Sequence, residues 1–173
     1  MTSPANIAKH PIHPMLVVFP SALLVFSLVS DLIHFFGWGG AVWNDVAYYT
    51  MAGGIIGALV AAVPGLIDLL AQTKAEVKKI GVMHMILNLA AVAVFAVSFW
   101  LRTKGAADAT LPITLSVIGV VLLCVAGWLG GEMVYVRGVA VAPPSETGRP
   151  EPAGIEGAER PRAARNVPFQ VTK

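Results

Sequence analysis

Four separate stretches of mostly apolar residues constrain this chain more than any other feature of its sequence. A helix of about 20 residues spans the hydrocarbon core of a membrane. A lone segment in lipid satisfies its backbone hydrogen bonds only as a helix. The apolar stretches lie at about 15–36, 48–70, 80–101 and 111–136. The sequence therefore predicts an all-α integral membrane protein with four transmembrane helices.

The composition agrees with a chain whose main solvent is lipid. Hydrophobic residues make up 56% of it and charged residues only 13%, whereas a soluble domain carries about 25% charged residues. The formal net charge of +2, without a long basic run, excludes a nucleic-acid partner. The single cysteine, Cys124, excludes an intramolecular disulfide and any metal motif built from several cysteines.

Short connections between the apolar stretches predict that consecutive helices pack antiparallel, as an up-down-up-down bundle. The basic residues of the short connections predict its orientation, because Lys and Arg concentrate on the cytoplasmic side. One side carries Lys9, Lys74, Lys78, Lys79 and Arg137, and the other carries Arg102 and Lys104. Both chain ends are therefore predicted to be cytoplasmic.

The chain is expected to divide into three parts. Residues 1–14 form an N-terminal cytoplasmic segment, and residues 15–141 form the transmembrane domain. Residues 142–173 are rich in proline, and their alternating charges predict a disordered cytoplasmic tail. Two pairs of small residues, Gly53 with Gly57 and Gly127 with Gly131, favour close helix packing inside the bundle over dimerisation.

Polar residues near one end of each helix are the main candidates for function, because such groups are costly inside a membrane. An antiparallel bundle brings His13, Asp68, His84 and Glu132 to the same cytoplasmic level, and Asn88 shares a helix face with His84. Such a layer can bind a transition metal, ligate a haem iron through two imidazoles, or relay protons. It can equally be a hydrogen-bonded network that joins the helices, or reach headgroup water.

The segment 10–14 places His10 and His13 three residues apart between prolines. The prolines predict an extended chain with no helix before Met15, although Pro14 itself can occupy a first helical turn. The two histidines then either face one ion or haem edge, or lie at the interface beside a proline-defined helix start. At the other end of the first helix, Asp31 and His34 share a face, where an ion pair or hydration satisfies them.

Several motifs in the transmembrane part resemble a bacterial family of predicted membrane proteins classified as a domain of unknown function. The resemblance covers about residues 10–141 and leaves the tail outside. Its motifs are His10-Pro11-Ile12-His13-Pro14-Met15, Phe19-Pro20-Ser21-Ala22-Leu23-Leu24, Asp31-Leu32, Gly65-Leu66-Ile67-Asp68, His84 with Leu87-Asn88-Leu89, Gly130-Gly131-Glu132-Met133-Val134-Tyr135 and Gly138-Val139.

This resemblance implies a place in the bacterial inner membrane and, by association, a role near membrane electron transfer. Some proteins similar to the family carry a Rieske-type iron–sulfur domain, for which this chain lacks the cysteines. Relatives often have histidine between Arg and Gly after the tyrosine of the last motif. Here that histidine's position holds Arg137, so any ligand role of that histidine is lost.

Three functional hypotheses follow, and none of them requires an enzyme. The first is a membrane subunit that binds haem b or a transition metal through His13 and His84, with His10 as a further ligand candidate and Asp68 and Glu132 completing a metal site. Its partner is a redox protein. The second is a structural or interaction protein without a cofactor. The third is a small transporter or proton conductor, which the apolar middles of the second and fourth helices disfavour.

Overall fold

The computed structural model describes residues 3–105 and 110–141. Within these residues four helical segments are long and apolar enough to span a membrane: Ile12–Phe35, Val42–Leu70, Ala75–Thr103 and Thr110–Val136. The predicted all-α, four-helix membrane fold is therefore confirmed. The predicted disordered tail lies outside the described residues.

Six helical elements form the four spans. The first span consists of α1 (Ile12–Leu16) and α2 (Val18–Phe35), which meet at Val17. The second is α3 (Val42–Leu70), the third is α4 (Ala75–Thr103), and the fourth is α5 (Thr110–Gly131) followed by a π-helical turn (Glu132–Val136). The second and third helices begin well before the predicted apolar stretches, and their first turns carry the polar and aromatic residues that those stretches leave out.

The helix start near Pro14 was predicted wrongly. Helix α1 begins at Ile12, so His13 and Pro14 lie in its first turn and not in an extended segment. Proline is tolerated there because the first N–H groups of a helix have no intrahelical acceptor. As a consequence, His13 is held by helical backbone.

A short β-hairpin precedes α1. Strand β1 (Asn6–Ile7) pairs antiparallel with β2 (His10–Pro11), and the turn between them places Ala8 and Lys9 at φ values of 50° and 67°. Two-residue hairpin turns favour positive φ, which is usually supplied by Asn and Gly. Because neither residue is typical of such a turn, the sequence did not indicate the hairpin.

The bundle is built from two helical hairpins. The first hairpin consists of α1, α2 and α3, and the second consists of α4 and α5. The hairpins join where α3 packs against α4 and α2 packs against α5, which leaves α2 and α4 on one diagonal of the bundle. Leu24, Met51 and Phe95 form the fully buried core between the hairpins, and many other large apolar side chains face outward, towards lipid.

The closest helix contacts involve glycines other than the predicted pairs. A Cβ atom at Gly54 would lie 2.6 Å from Leu24, and one at Gly119 would lie 2.6 Å from Phe95. Gly53 and Gly57 make ordinary contacts with α2, whereas Gly127 has no neighbour within 4 Å among the described residues. The predicted close packing at Gly127 and Gly131 is therefore wrong, because this face of α5 points away from the other helices.

Candidate functional site

Two histidines from different hairpins meet near one end of the bundle. His13 lies in the first turn of α1, and His84 lies in the third turn of α4. Their rings contact edge to face, with centroids 6.3 Å apart and an interplanar angle of 88°. Both side chains are half-buried. The two histidines predicted as ligands are thus brought together.

Each imidazole is oriented by a backbone carbonyl of the neighbouring helix. His13 Nδ1 lies 2.8 Å from the Ala61 carbonyl oxygen on α3, and His84 Nδ1 lies 2.7 Å from the Ala126 carbonyl oxygen on α5. A carbonyl oxygen only accepts hydrogen bonds, so Nδ1 carries the proton in both rings. In a neutral imidazole this leaves the lone pair on Nε2, which is the nitrogen available to a ligand.

A glycine one turn beyond each alanine makes room for the ring. A Cβ atom at Gly65 would lie 2.8 Å from His13 Cε1 and Nδ1, and one at Gly130 would lie 3.2 Å from His84 Cε1. Both histidines are therefore seated in the same way, with Nδ1 on an alanine carbonyl and the ring edge against the glycine four residues later.

The carboxylate of Asp68 is engaged by the N-terminal segment. Its Oδ1 accepts a hydrogen bond of 2.6 Å from Ser3 Oγ and one of 3.2 Å from the Ala5 backbone N–H. The Ala5 carbonyl in turn accepts from the Ile12 N–H at the start of α1. Asp68 thereby ties the segment before α1 to the last turn of α3.

The remaining residues of the predicted polar layer have partners outside the histidine pair. Glu132 forms an ion pair of 3.3 Å with Arg137, which also contacts Glu76 at 3.3 Å. The Asn88 side chain donates to the His84 carbonyl oxygen within α4. His10 is exposed, and its Nδ1 contacts the Ala8 carbonyl oxygen in the β-hairpin.

The other end of the bundle contains a buried ion pair. Arg102 donates from both terminal nitrogens to the two carboxylate oxygens of Asp31, each at 2.7 Å. The Asp31 side chain is 3% exposed and that of Arg102 is 11% exposed. His34 is exposed and lines a cavity of about 220 Å³ beside this pair. Asp31 therefore pairs with Arg102 on α4, whereas the sequence predicted that a local ion pair with His34 or hydration satisfies it.

The residues that sequence reasoning missed are those that orient the histidines and Asp31. Two alanines act through their backbone carbonyls, Ala61 and Ala126, and two glycines act by leaving space for a ring, Gly65 and Gly130. Small apolar residues are common in membrane helices, so their role cannot be recognised from the sequence. Arg102 is recognisable in the sequence by its charge, but the prediction assigned it to the connection between the third and fourth helices. It lies instead in the last turn of α4, and its side chain is buried against Asp31.

No group of three or more His, Cys, Asp or Glu side chains able to hold a metal ion occurs in the described part of the chain. Asp68 and Glu132 do not join His13 and His84 in such a group. The chemically distinctive feature of the site is therefore a pair of imidazoles, each oriented by a helix carbonyl and each with Nε2 left available.

These features define a multi-pass membrane protein whose two helical hairpins meet at a pair of histidines. The family model DUF2231, described as a predicted membrane protein, matches residues 9–143, and the chain belongs to this family. The predicted resemblance is thereby confirmed. No curated protein and no solved structure matches the chain.

Proposed function

We propose that the protein is a non-catalytic membrane subunit that binds a haem iron between His13 and His84 and serves electron transfer in the membrane. The observation that supports this proposal is the His13–His84 contact with both Nδ1 atoms bound to helix carbonyls. Hydrogen bonding at the second ring nitrogen is the usual way in which proteins orient a ligating imidazole and raise its basicity.

The distance between the rings suits a shared ion. Imidazole nitrogens bind transition metals at about 2 Å, so rings with centroids 6.3 Å apart are close enough to ligate one ion. A bare metal ion usually takes about four ligands, and no third protein ligand joins the pair among the described residues. A porphyrin supplies four nitrogens of its own and leaves two axial positions, which favours haem over a bare ion.

The proposed placement is the bacterial inner membrane with both chain ends in the cytoplasm. Arg102 had weakened this orientation as a loop charge on the opposite side. Because Arg102 is buried against Asp31, it does not count among the basic residues of the connections. In the described part of the chain, Lys104 is then the basic residue on the side opposite the chain ends. The His13–His84 pair then lies towards the cytoplasm, where a redox protein is the proposed partner. Reporter fusions after Gln72 and after Lys104 distinguish the two orientations.

The test of haem binding is an absorption spectrum of the detergent-purified protein, oxidised and then reduced with dithionite, with elemental analysis of the same sample. A Soret band that shifts on reduction, with iron at about one per chain, is the expected result. His13→Ala and His84→Ala are expected to lose the band. The matched controls, His10→Ala and His34→Ala, change exposed histidines outside the pair and are expected to retain it.

A metal-free sample without a Soret band, purified from cells supplied with iron and a haem precursor, rules out the proposal. Iron, copper or zinc without that band reassigns the two histidines to a plain metal site.

A second candidate function is a structural or interaction protein without a cofactor. It is favoured by the hydrogen bonds of Asp68 and Asn88 and by the ion pair of Glu132 with Arg137, all within the protein. Under this alternative the His13–His84 contact only joins the two hairpins, and the tail docks a partner. Co-purification of a partner that is lost on truncation after Val141, from a sample without metal, supports it.

A further inference from the structure

The two hairpins repeat the same contacts at a fixed spacing in the sequence. A residue of the first span corresponds to the residue 71 positions later in α4, as His13 corresponds to His84. A residue of α3 corresponds to the residue 65 positions later in α5, as Ala61 corresponds to Ala126. The equivalent positions are His13 and His84, Leu24 and Phe95, Ser27 and Ser98, Asp31 and Arg102, Ala47 and Pro112, Gly54 and Gly119, Ala61 and Ala126, and Gly65 and Gly130.

The serine contacts illustrate this equivalence. Ser27 Oγ donates to the Ala47 carbonyl oxygen at 2.7 Å, and Ser98 Oγ donates to the Pro112 carbonyl oxygen at 2.8 Å. Both serines are fully buried. Ser27 lies 14 residues after His13, and Ser98 lies 14 residues after His84 (27 − 13 and 98 − 84). Each hairpin is therefore fastened by a histidine at one end and a serine at the other.

The core repeats in the same register. Leu24 fills the space left by Gly54, and Phe95 fills the space left by Gly119, each at 2.6 Å from the position of a Cβ atom. The buried side chain is larger in the second hairpin than in the first, but the positions of this side chain and of its glycine are the same in both. Such agreement in buried positions, where packing restricts the choice of residue, indicates two copies of one structural unit.

Equivalent residues also contact each other at both ends of the bundle. His13 meets His84, and Asp31 meets Arg102. Residues that are equivalent in two copies touch each other where a two-fold axis passes between them. The approximate axis therefore runs along the bundle between α2 and α4. This matches parallel repeats related by an axis along the membrane normal.

We infer that the chain is an internal duplication of a helical hairpin, and that the Asp31–Arg102 ion pair is the element by which the first hairpin recognises the second. In two identical hairpins this axial position would bring together two aspartates or two arginines, which repel. Opposite charges at equivalent positions make unlike hairpins attract and like hairpins repel. The interface thereby favours the assembly of the two different hairpins. This inference does not depend on whether the histidines bind an ion.

The inference is tested by exchanging the charges across the axis. Asp31→Arg places two arginines on the axis, and Arg102→Asp places two aspartates there. Each single reversal is expected to lower the Tm in detergent by about 10 °C or more. The exchange Asp31→Arg with Arg102→Asp is expected to recover most of this loss, because both positions approach the axis equivalently. Lys104→Glu is the control for a charge reversal outside the pair.

An exchanged protein no more stable than the worse single variant overturns the equivalence of the two positions. Single reversals that leave the Tm unchanged overturn the recognition role of the ion pair.

A second exchange keeps the inference testable if the charge variants fail to accumulate. Leu24→Phe with Phe95→Leu moves the larger side chain to the other hairpin while conserving the total core volume. The double variant is expected to melt closer to the wild type than either single variant. The matched control, Leu24→Ser with Ser98→Leu, exchanges positions that are not equivalent and is expected to melt below both of its single variants. The opposite ranking overturns the duplication.

Discussion

His13 and His84 contact each other edge to face, and each donates its Nδ1 proton to an alanine carbonyl on the second helix of its own hairpin. The two rings thus occupy equivalent places in the two hairpins. A haem iron would need only two protein ligands, which is why we propose it for a pair of imidazoles rather than an ion that needs protein ligands on all sides.

The glycines behind the two rings provide a test that leaves both histidines in place. Gly65→Ala adds a methyl group 2.8 Å from the His13 ring, and Gly130→Ala adds one 3.2 Å from the His84 ring. We expect Gly65→Ala to destabilise the protein by about 1–3 kcal/mol and to weaken the proposed haem binding. We expect Gly130→Ala to have a smaller effect. The measurements are thermal melting and the Soret absorbance per protein.

The control for this prediction is Gly127→Ala, because Gly127 has no neighbour within 4 Å among the described residues. Alanine is favoured over glycine inside a helix, so this variant should be neutral or more stable by up to about 1 kcal/mol. Equal effects of all three substitutions would show that the rings are not seated against Gly65 and Gly130.

The core glycines give a second prediction about stability. Gly54→Ala drives a methyl group into Leu24, and Gly119→Ala drives one into Phe95, each at 2.6 Å. Both neighbours are fully buried and have little room to move. We expect each variant to lose about 1–3 kcal/mol by overpacking, measured by unfolding in mixed detergent. Gly40→Ala is the control, because Gly40 has no neighbour within 4 Å in the described part of the chain, and a loss there of the same size would contradict this account.

Much of the fold follows from the sequence because the membrane leaves few alternatives. Long apolar stretches become helices, and short connections make them antiparallel, so the spans and the polar level shared by His13 and His84 were predictable. The β-hairpin was not, because Ala8 and Lys9 adopt positive φ without a local sequence signal. The start of α1 was misplaced because Pro14 fits within a first turn as readily as before it.

The contacts within the site were harder to predict because they depend on helix rotation. The pairing of Asp31 with Arg102 requires α2 and α4 to face each other across the bundle, which no local pattern specifies. The repeat was present in the sequence as the constant spacings between His13 and His84 and between Ser27 and Ser98. It is easily missed because Asp31 and Arg102, the most conspicuous equivalent residues, have opposite charges.

The buried ion pair gives a third prediction. Asp31→Leu or Arg102→Met alone leaves an uncompensated buried charge, and each should cost about 3–5 kcal/mol. Arg102 Nε has no hydrogen-bond partner among residues 3–105 and 110–141, so the described groups do not fully satisfy the pair. The double apolar variant should therefore recover most of the loss, because well-packed apolar residues replace a buried pair at little cost. A double-mutant cycle on unfolding measures this coupling, and additive losses would contradict it.

The contact between Asp68 and the N-terminal segment gives the last prediction. Asp68→Ala removes the acceptor of the Ala5 N–H and leaves the Ser3 hydroxyl only the Ala5 carbonyl, while the bond from the Ile12 N–H to the Ala5 carbonyl remains. We expect the Ala5 amide to exchange with solvent about 10- to 150-fold faster, since one hydrogen bond to a carboxylate contributes about 1.5–3 kcal/mol. Hydrogen-exchange mass spectrometry of the N-terminal peptide measures this.

Asp45→Ala, in the first turn of α3 at the opposite end, should leave that exchange unchanged. Because His13 follows this segment at the start of α1, Asp68→Ala should also weaken the proposed haem binding while both histidines remain in place. Unchanged exchange at Ala5 would show that Asp68 does not hold the segment.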